Sequence, residues 1–314
     1  MDPNLLFWKS EGQSFFSRIK IWVNILDPTS LLSSDAKIER AHGLLRGGQK
    51  LDDWNEEAVT LSLSSVHADS GDVLPLMLRP AAFLSASAPL VVASFLPHTN
   101  VKYALLWQFF LQSYQTRFTL ANRNSSSEKS KKLSSRQLLL SAGTVCYATC
   151  AGSLPQIMIY KLGVSSEVIK AVLRTMLPIP LSAAVAFISV YTVRSEESQT
   201  GIQVFDSNGN LVGLSKAAGH KAVKETALSR AALFGTTAAV PSLLITLLWR
   251  TRVIQKSSVL IAPLRYMSVA MGFGLMIPVS FSLFPQLSTI KKENVEKNLQ
   301  EAACEGLLYY HRGL

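Results

Sequence analysis

The sequence predicts an all-α polytopic membrane protein with about five transmembrane helices, a small helical N-terminal head and one short β-hairpin in a loop. Composition is the first observation, since 48% of the residues are hydrophobic and only 17% are charged, a balance typical of membrane proteins. The second is that residues 137–160 contain no Asp, Glu, Lys, Arg or His. A helix of this length reaches roughly 36 Å, enough to cross the ~30 Å hydrocarbon core of a bilayer.

Basic residues mark both ends of this apolar stretch, where their charged groups reach the lipid phosphates. They are Lys129, Lys131, Lys132, Arg136 and Lys161. Inside the stretch, Thr144, Ala148 and Gly152 recur every four residues. Such a row of small side chains lets a neighbouring helix approach closely. The pattern therefore predicts a span that packs against other helices.

The sequence of residues 1–78 predicts a small helical head. Apolar residues within 13–26 follow the 3.6-residue helical period, and an Asp-Pro pair ends the pattern. This basic amphipathic helix lies either in a membrane surface or against the rest of the head. Ser34 and Asp53 are expected to cap two further helices. The first residues lack the pattern of a secretory signal or a mitochondrial presequence. If the protein is targeted to an organelle, the targeting signal is expected to lie within the chain.

The head ends in a cluster of possible metal or proton ligands that includes His67, Asp69 and Ser70. A zinc site needs three or four ligands, and no second His or Cys pair stands at ligand spacing. The favoured alternative is a loop in which Asp69 and Ser70 hydrogen-bond to nearby backbone groups. We expect no metal there.

Further apolar segments extend a membrane domain over residues 79–290, followed by a tail over 291–314. The expected spans are about 81–97, 138–158, 175–193, 231–249 and 266–285. Residues 101–120 mix aromatic side chains with Gln, Lys and Arg, and are expected to form an amphipathic interfacial or re-entrant helix. Five spans place the two termini on opposite sides. Lys and Arg are nearly balanced between the two sets of loops, so the positive-inside rule assigns no orientation.

The net charge of +10 points to the lipid bilayer as partner. We expect no nucleic acid, because no basic run is interleaved with base-stacking aromatics. Two of the three cysteines, Cys146 and Cys150, lie inside the apolar stretch, so no disulfide framework is indicated. No nucleophile with a base and no Gly-rich phosphate loop is present, which argues against an enzyme and a cofactor.

Three prolines, Pro89, Pro241 and Pro278, stand in the middle of predicted spans. A proline removes a backbone donor and frees a carbonyl, which must then face protein or a wet cavity. Transporters bind substrates at such breaks, while a kink filled by neighbouring helices is the alternative. The hydroxyls expected along a pathway are those of Thr236, Thr237, Ser242, Ser280 and Ser282. The uncharged spans favour a net-neutral ligand.

Residues 201–213 predict two short strands joined at Asn208-Gly209, a strong hairpin signal. Asp206 and Asn208 resemble part of a calcium loop, but alanine stands at the twelfth position, where a bidentate Glu is needed. Calcium is therefore not expected. A Lys-rich helix over 215–230 follows and leads into the next span.

Five motifs stand in order along nearly the full chain. They are Asp27-Pro28-Thr29, His67-Ala68-Asp69-Ser70, Trp107-Gln108 with Asn122-Arg123, the Asp206 to Asn210 turn with Gly209 and the helix ending at Ser229-Arg230, and Phe284-Pro285-Gln286. Each is weak alone, but together they resemble the sideroflexins of the mitochondrial inner membrane. Residues 79–83 and 310–314 are similar to a divergent branch of that family.

The resemblance implies a five-span carrier of small amino acids, serine being the best-known substrate, with links to one-carbon, iron and respiratory-chain metabolism. Residues 186–191 depart from the family pattern Asn-Cys-Ile-Asn-Ile-Pro. Two amides and a proline are missing, so efficient serine transport is not expected. Two functions stay open: a carrier of a small neutral amino acid or related metabolite, or a non-transporting scaffold. The scaffold would support respiratory-chain (complex I) biogenesis through assembly proteins, and iron homeostasis. A carrier needs a continuous polar cavity, whereas a scaffold can be dry.

Overall fold

Helices form most of the protein, and one small antiparallel sheet completes it. The structure is a computed structural model. It describes residues 2–47, 55–96, 98, 100–124, 134–161, 163–248, 261–302 and 306–314. The helices are α1 Pro3–Glu11, α2 Phe15–Ile25, α3 Asp35–Arg46, α4 Glu56–Ser65, α5 Ala82–Phe95, α6 Val101–Ala121, α7 Ser135–Gly152, α8 Leu154–Lys161, α9 Glu167–Thr175, α10 Pro178–Val193, α11 Ser195–Thr200, α12 Lys216–Leu248, α13 Ile261–Ser282 and α14 Lys297–Ala302. The strands are β1 Ile202–Phe205, β2 Leu211–Ser215, β3 Leu287–Lys291 and β4 Leu307–His311.

The head consists of α1 to α4, and its predicted amphipathic helix is confirmed as α2. This helix packs against the protein, with the Trp22 ring 5.0 Å from that of Phe281 in α13. Ser34 caps α3 as predicted, because its hydroxyl accepts from the backbone N–H of Lys37 at 3.3 Å. Asp53 lies outside the described residues, and Asn55 caps α4.

The long helices form a bundle in which three are long and apolar enough to cross a membrane. They are Glu167–Val193, which joins α9 to α10, Lys216–Leu244 of α12 and Pro263–Ser282 of α13. The pair α7 and α8 makes a fourth if it is one broken span, and α5 is a shorter apolar helix. Within the described chain, length and composition thus support three or four spans, and the prediction of five is not confirmed.

The apolar stretch of residues 137–160 is bent rather than straight. Its two halves, α7 and α8, meet at an angle of 50°. Pro155 stands in the first turn of α8, where it cannot donate a hydrogen bond and its ring clashes with the preceding turn of a straight helix. The prediction of one regular span over 138–158 therefore needs correction.

Helix α6 changes the expected topology. The predicted amphipathic segment 101–120 forms a helix that packs on both α5 and α7 and buries Leu111 and Phe118. It brings the chain back to the head end of the bundle. The backbone N–H of Leu314 donates to the carbonyl of Asn122 at the end of α6, at 3.1 Å, and the Nζ of Lys9 in α1 lies 4.8 Å from the ring centre of Tyr309. Residues near both termini thus lie at one end of the bundle, which argues against the expectation that the termini are on opposite sides.

The predicted hairpin is confirmed, but it is half of a larger sheet. Strands β1 and β2 pair around the turn that contains Gly209, whose φ of +84° suits glycine. The C-terminal strands β3 and β4 extend this pair, and the strand order is β2-β1-β4-β3. The last long helix ends at Ser282 and β3 follows, so the predicted span to 285 and the wholly separate tail 291–314 are corrected.

The three mid-span prolines do not break their helices. Helix α12 continues through Pro241, and α13 continues through Pro278. Pro89 likewise lies inside α5. These helices have no free half-helix ends at the prolines, so the geometry that motivated a pathway at Pro241 and Pro278 is not formed there.

Candidate functional site

A small cavity of about 40 Å³ lies between α6, α7, α10 and α12. Its apolar walls include Phe95, Leu111, Val185 and Phe234. The polar side chains that line it are Gln108, Gln112, Gln115, Thr116, Thr119, Ser182, Ser189 and Arg230. Apolar walls with a few convergent polar groups are the usual character of small-molecule sites.

Helix α6 supplies most of these polar groups. Gln108, Gln112, Gln115 and Thr119 follow one another at spacings of three and four residues, which places them on one helical face. The structure turns that face inward, onto the cavity. The polar residues that suggested an interfacial helix therefore serve as a cavity lining, and their helical spacing is the signal that could have found it.

Arg230 closes the cavity at the end nearest the head, and sequence reasoning did not select it as a site residue. It is only 2% exposed. Its guanidinium carbon lies 4.2 Å from the ring centre of Phe281, 4.8 Å from that of Phe83 and 5.6 Å from that of Phe118. Within the part of the chain that the structure describes, none of its three guanidinium nitrogens has a hydrogen-bond partner.

A second cavity, of about 80 Å³, adjoins the first on the side toward the other end of the bundle. Both are lined by Phe95, Gln108, Gly152 and Ser182. At Gly152 a Cβ would lie 2.6 Å from the Oε1 of Gln108, so these two residues touch where the cavities meet. Together the adjoining cavities form one route, more apolar than polar, whose lining includes Arg230.

Basic residues line the second cavity as well, namely Arg174 and Arg265. No Asp or Glu belongs to the lining of either cavity among the described residues. The route is therefore positively charged at both ends. This differs from the expectation that the membrane domain holds no charge able to partner an ionic ligand.

The residues predicted to line a pathway lie outside these two cavities. They are Pro89, Thr236, Thr237, Pro241, Ser242, Pro278 and Ser280. The Thr236 and Thr237 hydroxyls donate to the Leu233 carbonyl at 3.0 and 2.7 Å. The Ser280 hydroxyl donates to the carbonyl of Ile277 at 3.1 Å. These three hydroxyls bond within their own helices, and none of them lines the cavities with Gln108 or Arg230.

The His67 cluster forms a tight loop joined to the end of α6. The Nε2 of His67 donates to the carbonyl of Arg123 at 2.7 Å, and its Nδ1 accepts from the N–H groups of Asp69 and Ser70 at 3.3 Å. One ring nitrogen donates and the other accepts, which fixes the neutral tautomer. The Ser70 hydroxyl accepts from the N–H of Asp72 at 3.3 Å. The loop interpretation is thus supported, with His67 as the main capping group.

The remaining motif residues hold the head end of the bundle together. The amide of Asn122 donates to the carbonyls of Leu78 and Phe118 at 2.9 and 3.0 Å. The guanidinium of Arg123 pairs with Glu196 at 2.9 Å, and the carbonyl of Gln286 accepts from the N–H of Arg312 at 2.8 Å.

The hairpin and the end of α13 contain the other motif residues. The carboxylate of Asp206 accepts from the backbone and the side chain of Asn210, at 2.7 and 3.0 Å. These bonds lower the pKa of Asp206 and shape the turn that contains Asn208 and Gly209. The carbonyl of Pro285 accepts from the Ser288 hydroxyl at 3.3 Å. Of the motif residues chosen from sequence as a site, only Gln108 lines the cavity.

The fold and the cavities define the class: a polytopic helical membrane protein with polar side chains lining two adjoining cavities in its bundle. A family model described as "Sideroflexins" matches residues 6–314. The chain is 50% identical to Sideroflexin-4 of Danio rerio over 317 residues, which cover 100% of both chains. It is 37% identical to Sideroflexin-4 of Homo sapiens, covering 100% of this chain and 93% of that protein. It is 27% identical to human Sideroflexin-5, covering 96% and 90%.

These matches show that the chain belongs to the sideroflexin family, as the motifs predicted. The higher identity to proteins named Sideroflexin-4 than to one named Sideroflexin-5 agrees with the predicted divergent branch. The family is generally considered one of mitochondrial transporters rather than enzymes. No solved structure matches the chain.

The departure from the family pattern at 186–191 lies in the wall of the cavity. Ala186 and Ser189, which stand where the family pattern has its two Asn residues, both line it. Tyr191 stands where that pattern has proline, and its hydroxyl lies 3.1 Å from the Nε2 of His220. The chain has therefore lost two amide groups on the surface that a ligand would contact.

Proposed function

We propose that this protein is a mitochondrial inner-membrane carrier of a small amino acid or a related metabolite. The observation that carries the proposal is the set of polar side chains along two adjoining cavities, from Arg174 and Arg265 past Gln108 to Arg230. A bundle with a purely structural role needs no buried row of Gln, Ser and Thr side chains, because buried polar groups cost free energy unless they are satisfied. The junction at Gln108 and Gly152 is where a moving helix would open or close the route.

Serine should be a poor substrate. A small polar side chain is selected by hydrogen-bonding groups placed to meet it, and their loss leaves the substrate hydroxyl unpaired. Ala186 offers no such group and Ser189 offers a shorter one than Asn. The cavity should therefore prefer a small substrate with an apolar side chain.

The alternative is a membrane scaffold that supports respiratory-chain (complex I) biogenesis and iron homeostasis without transport. The head carries large apolar side chains that could bind an assembly protein: Phe16 is 80% exposed and Leu32 is 88% exposed. Exposed apolar residues of this size often mark contacts with partners or membranes. In this function the cavity would be unnecessary.

Uptake into liposomes separates the two functions. Purified protein would be tested with a panel of labelled amino acids, beside Gln108→Leu, which makes the junction of the cavities apolar. The matched control is Gln199→Leu at an exposed position of α11. A carrier should lose uptake only in the Gln108 variant. If no compound is taken up, and Gln108→Leu still restores function in cells that lack the protein, the carrier is wrong and the scaffold is favoured.

A further inference from the structure

The guanidinium of Arg230 is a buried cation that the protein itself does not neutralise. Three phenylalanine rings, those of Phe83, Phe118 and Phe281, surround it within 5.6 Å. Ring faces attract a cation but accept no strong hydrogen bonds. None of the described residues forms an ion pair or hydrogen bond with its three nitrogens. A buried charge of this kind costs free energy unless an anion pairs with it. An arginine with a purely structural role would therefore be expected to have an acidic partner.

Arg230 also lies beside the first cavity, although its three guanidinium nitrogens are covered by protein, so a ligand must displace neighbouring side chains to reach them. The residue belongs to the lining of the first cavity together with Gln115, Thr116 and Thr119 of α6. A guanidinium offers a planar fork of N–H donors that matches the two oxygens of a carboxylate. The neighbouring Gln and Thr side chains can hydrogen-bond the uncharged part of the same molecule.

The other end of the route is positively charged, as is the end at Arg230. Arg174 and Arg265 line the second cavity, and no Asp or Glu lines either cavity among the described residues. Basic side chains at an opening raise the local concentration of anions and repel cations. An anion that passes Gln108 and Gly152 then meets Arg230.

A free amino acid fits this lining less well than a monocarboxylate. Its ammonium group would be buried without a carboxylate to pair with it, and the amide and hydroxyl oxygens present are weaker partners than an anion. A single buried guanidinium at the end of the route matches a single carboxylate. We propose that the ligand is a small monocarboxylate anion, with Arg230 binding its carboxylate, and that an α-amino group is selected against. This deepens the proposed carrier function, on which it rests for the transport step.

Three compounds of nearly the same shape test the charge requirement. Lactate is a monoanion, alanine is the zwitterion with an ammonium in place of the hydroxyl, and lactamide is neutral. The thermal unfolding midpoint of the full chain in detergent would be titrated with each at fixed ionic strength, balanced with chloride. Lactate should raise Tm at the lowest concentration, alanine at higher concentrations, and lactamide should have no effect.

Variants of arginines assign the effect to Arg230. Arg230→Gln should weaken the apparent lactate affinity by roughly tenfold or more, because the charged hydrogen bonds are lost. Arg230→Lys keeps the charge without the planar fork and should give an intermediate value. Arg136→Gln is the matched control, since Arg136 is exposed on α7 and hydrogen-bonds to Gln199; it should respond like the unchanged protein.

The unfolding temperature of the Arg230→Gln variant, measured without ligand, is a second test that does not depend on binding. If Arg230 serves a ligand, the variant should unfold at the same temperature as the unchanged protein or higher, because a buried unpaired charge is removed. A large drop in Tm would show a structural role and overturn the proposal. A lactate response that is no stronger than that of alanine or lactamide, or one that survives Arg230→Gln, would overturn it as well.

Transport measurements keep the two proposals distinguishable. Lactate uptake that is accelerated by an inside-positive membrane potential supports both, since a monoanion moves charge. Uptake of a neutral amino acid, with no effect of lactate on Tm, would support the carrier function and contradict the anion site. Lactate binding with no uptake of any compound leaves the anion site standing and overturns the carrier.

Discussion

The guanidinium of Arg194 lies against Gly313, with its Nη2 2.7 Å from the position that a Cβ on Gly313 would take. Arg194 is fully buried at the end of α10. It pairs with Glu197 at 2.6 Å and donates to the carbonyl of Arg312 at 2.7 Å. The C-terminal residues are therefore held at the head end of the bundle by a hydrogen bond from an ion-paired arginine.

Gly313→Ala should weaken this attachment. Gly313 has a φ of +74°, and a methyl group there would both strain the backbone and displace the Arg194 side chain. We expect a loss of about 1–3 kcal/mol, measured as a lower unfolding temperature in detergent. Gly306→Ala is the control, because a Cβ on Gly306 meets nothing within 4 Å. Equal stability of both variants would contradict the arrangement.

Gly235→Leu should destabilise the bundle at the contact between α12 and α10. A Cβ at this position already lies 3.1 Å from the Cβ of Ala183, so a leucine must push the helices apart. Overpacking of this kind costs about 1–3 kcal/mol. The abundance of the protein in mitochondria and its Tm would be compared with those of Gly143→Leu, where nothing lies within 4 Å. Unchanged abundance of Gly235→Leu would show that this contact is loose.

Gly152→Ala should reduce transport more than stability. The added methyl group would displace the Gln108 side chain, which can rotate, into the junction of the two cavities. We expect a several-fold lower uptake rate with a Tm close to that of the unchanged protein. Gly143→Ala on the same helix serves as the comparison. Normal uptake in Gly152→Ala would mean that the ligand does not pass this junction.

Glu296 links the sheet to α12 and should give a pH-dependent contribution to stability. Its Oε1 accepts from the N–H groups of Lys216 and Ala217 at 2.7 and 3.1 Å. Burial raises the pKa of Glu296, but its own backbone N–H, Ser215 and these two donors outweigh burial, so the pKa lies below its ordinary value of 4.5. A carboxyl with a lowered folded pKa stabilises the protein above pH 4.5 and loses this effect as pH falls through the folded value.

Glu296→Gln therefore should lower Tm at neutral pH, by an amount corresponding to about 1 kcal/mol for the cap. Below pH 4.5 the difference should shrink as the carboxyl is protonated. A Tm difference that is the same at pH 7 and at pH 3.5 would show that the charge of Glu296 does not contribute. Circular dichroism across this pH range is the measurement.

The position of both termini at one end of the bundle predicts that they face the same compartment. Tags on the two ends should be digested together or protected together once the outer mitochondrial membrane is opened. Alkaline carbonate should leave the protein in the membrane pellet. Digestion of one tag alone would indicate an odd number of spans and would contradict the contact of Leu314 with Asn122.

Local signals made part of the fold predictable from sequence. The helical period of α2 and the Asn208-Gly209 turn each depend on neighbouring residues, and the structure confirms both. Strands β3 and β4 were missed because β3 follows directly on an apolar helix and pairs with residues about twenty positions later. A period of two over five residues is too short to identify a strand without its partner.

The candidate site was less predictable, because it depends on which way side chains face. Arg230 stands at the edge of an apolar run, where a basic residue normally reaches the lipid phosphates. Only the packing of α12 against Phe83, Phe118 and Phe281 turns it inward. Proline alone was a misleading guide, since the helices around Pro241 and Pro278 continue without a break.

The strand order β2-β1-β4-β3 has a consequence for how the protein is made. Strand β1 pairs with β4, which is made only after α12 and α13. Until then β1 has one open edge, which can pair with other chains. Assembly of the head end must therefore wait for β4, and a chain truncated before Leu307 would be a target for quality-control proteases even with all its long helices already inserted.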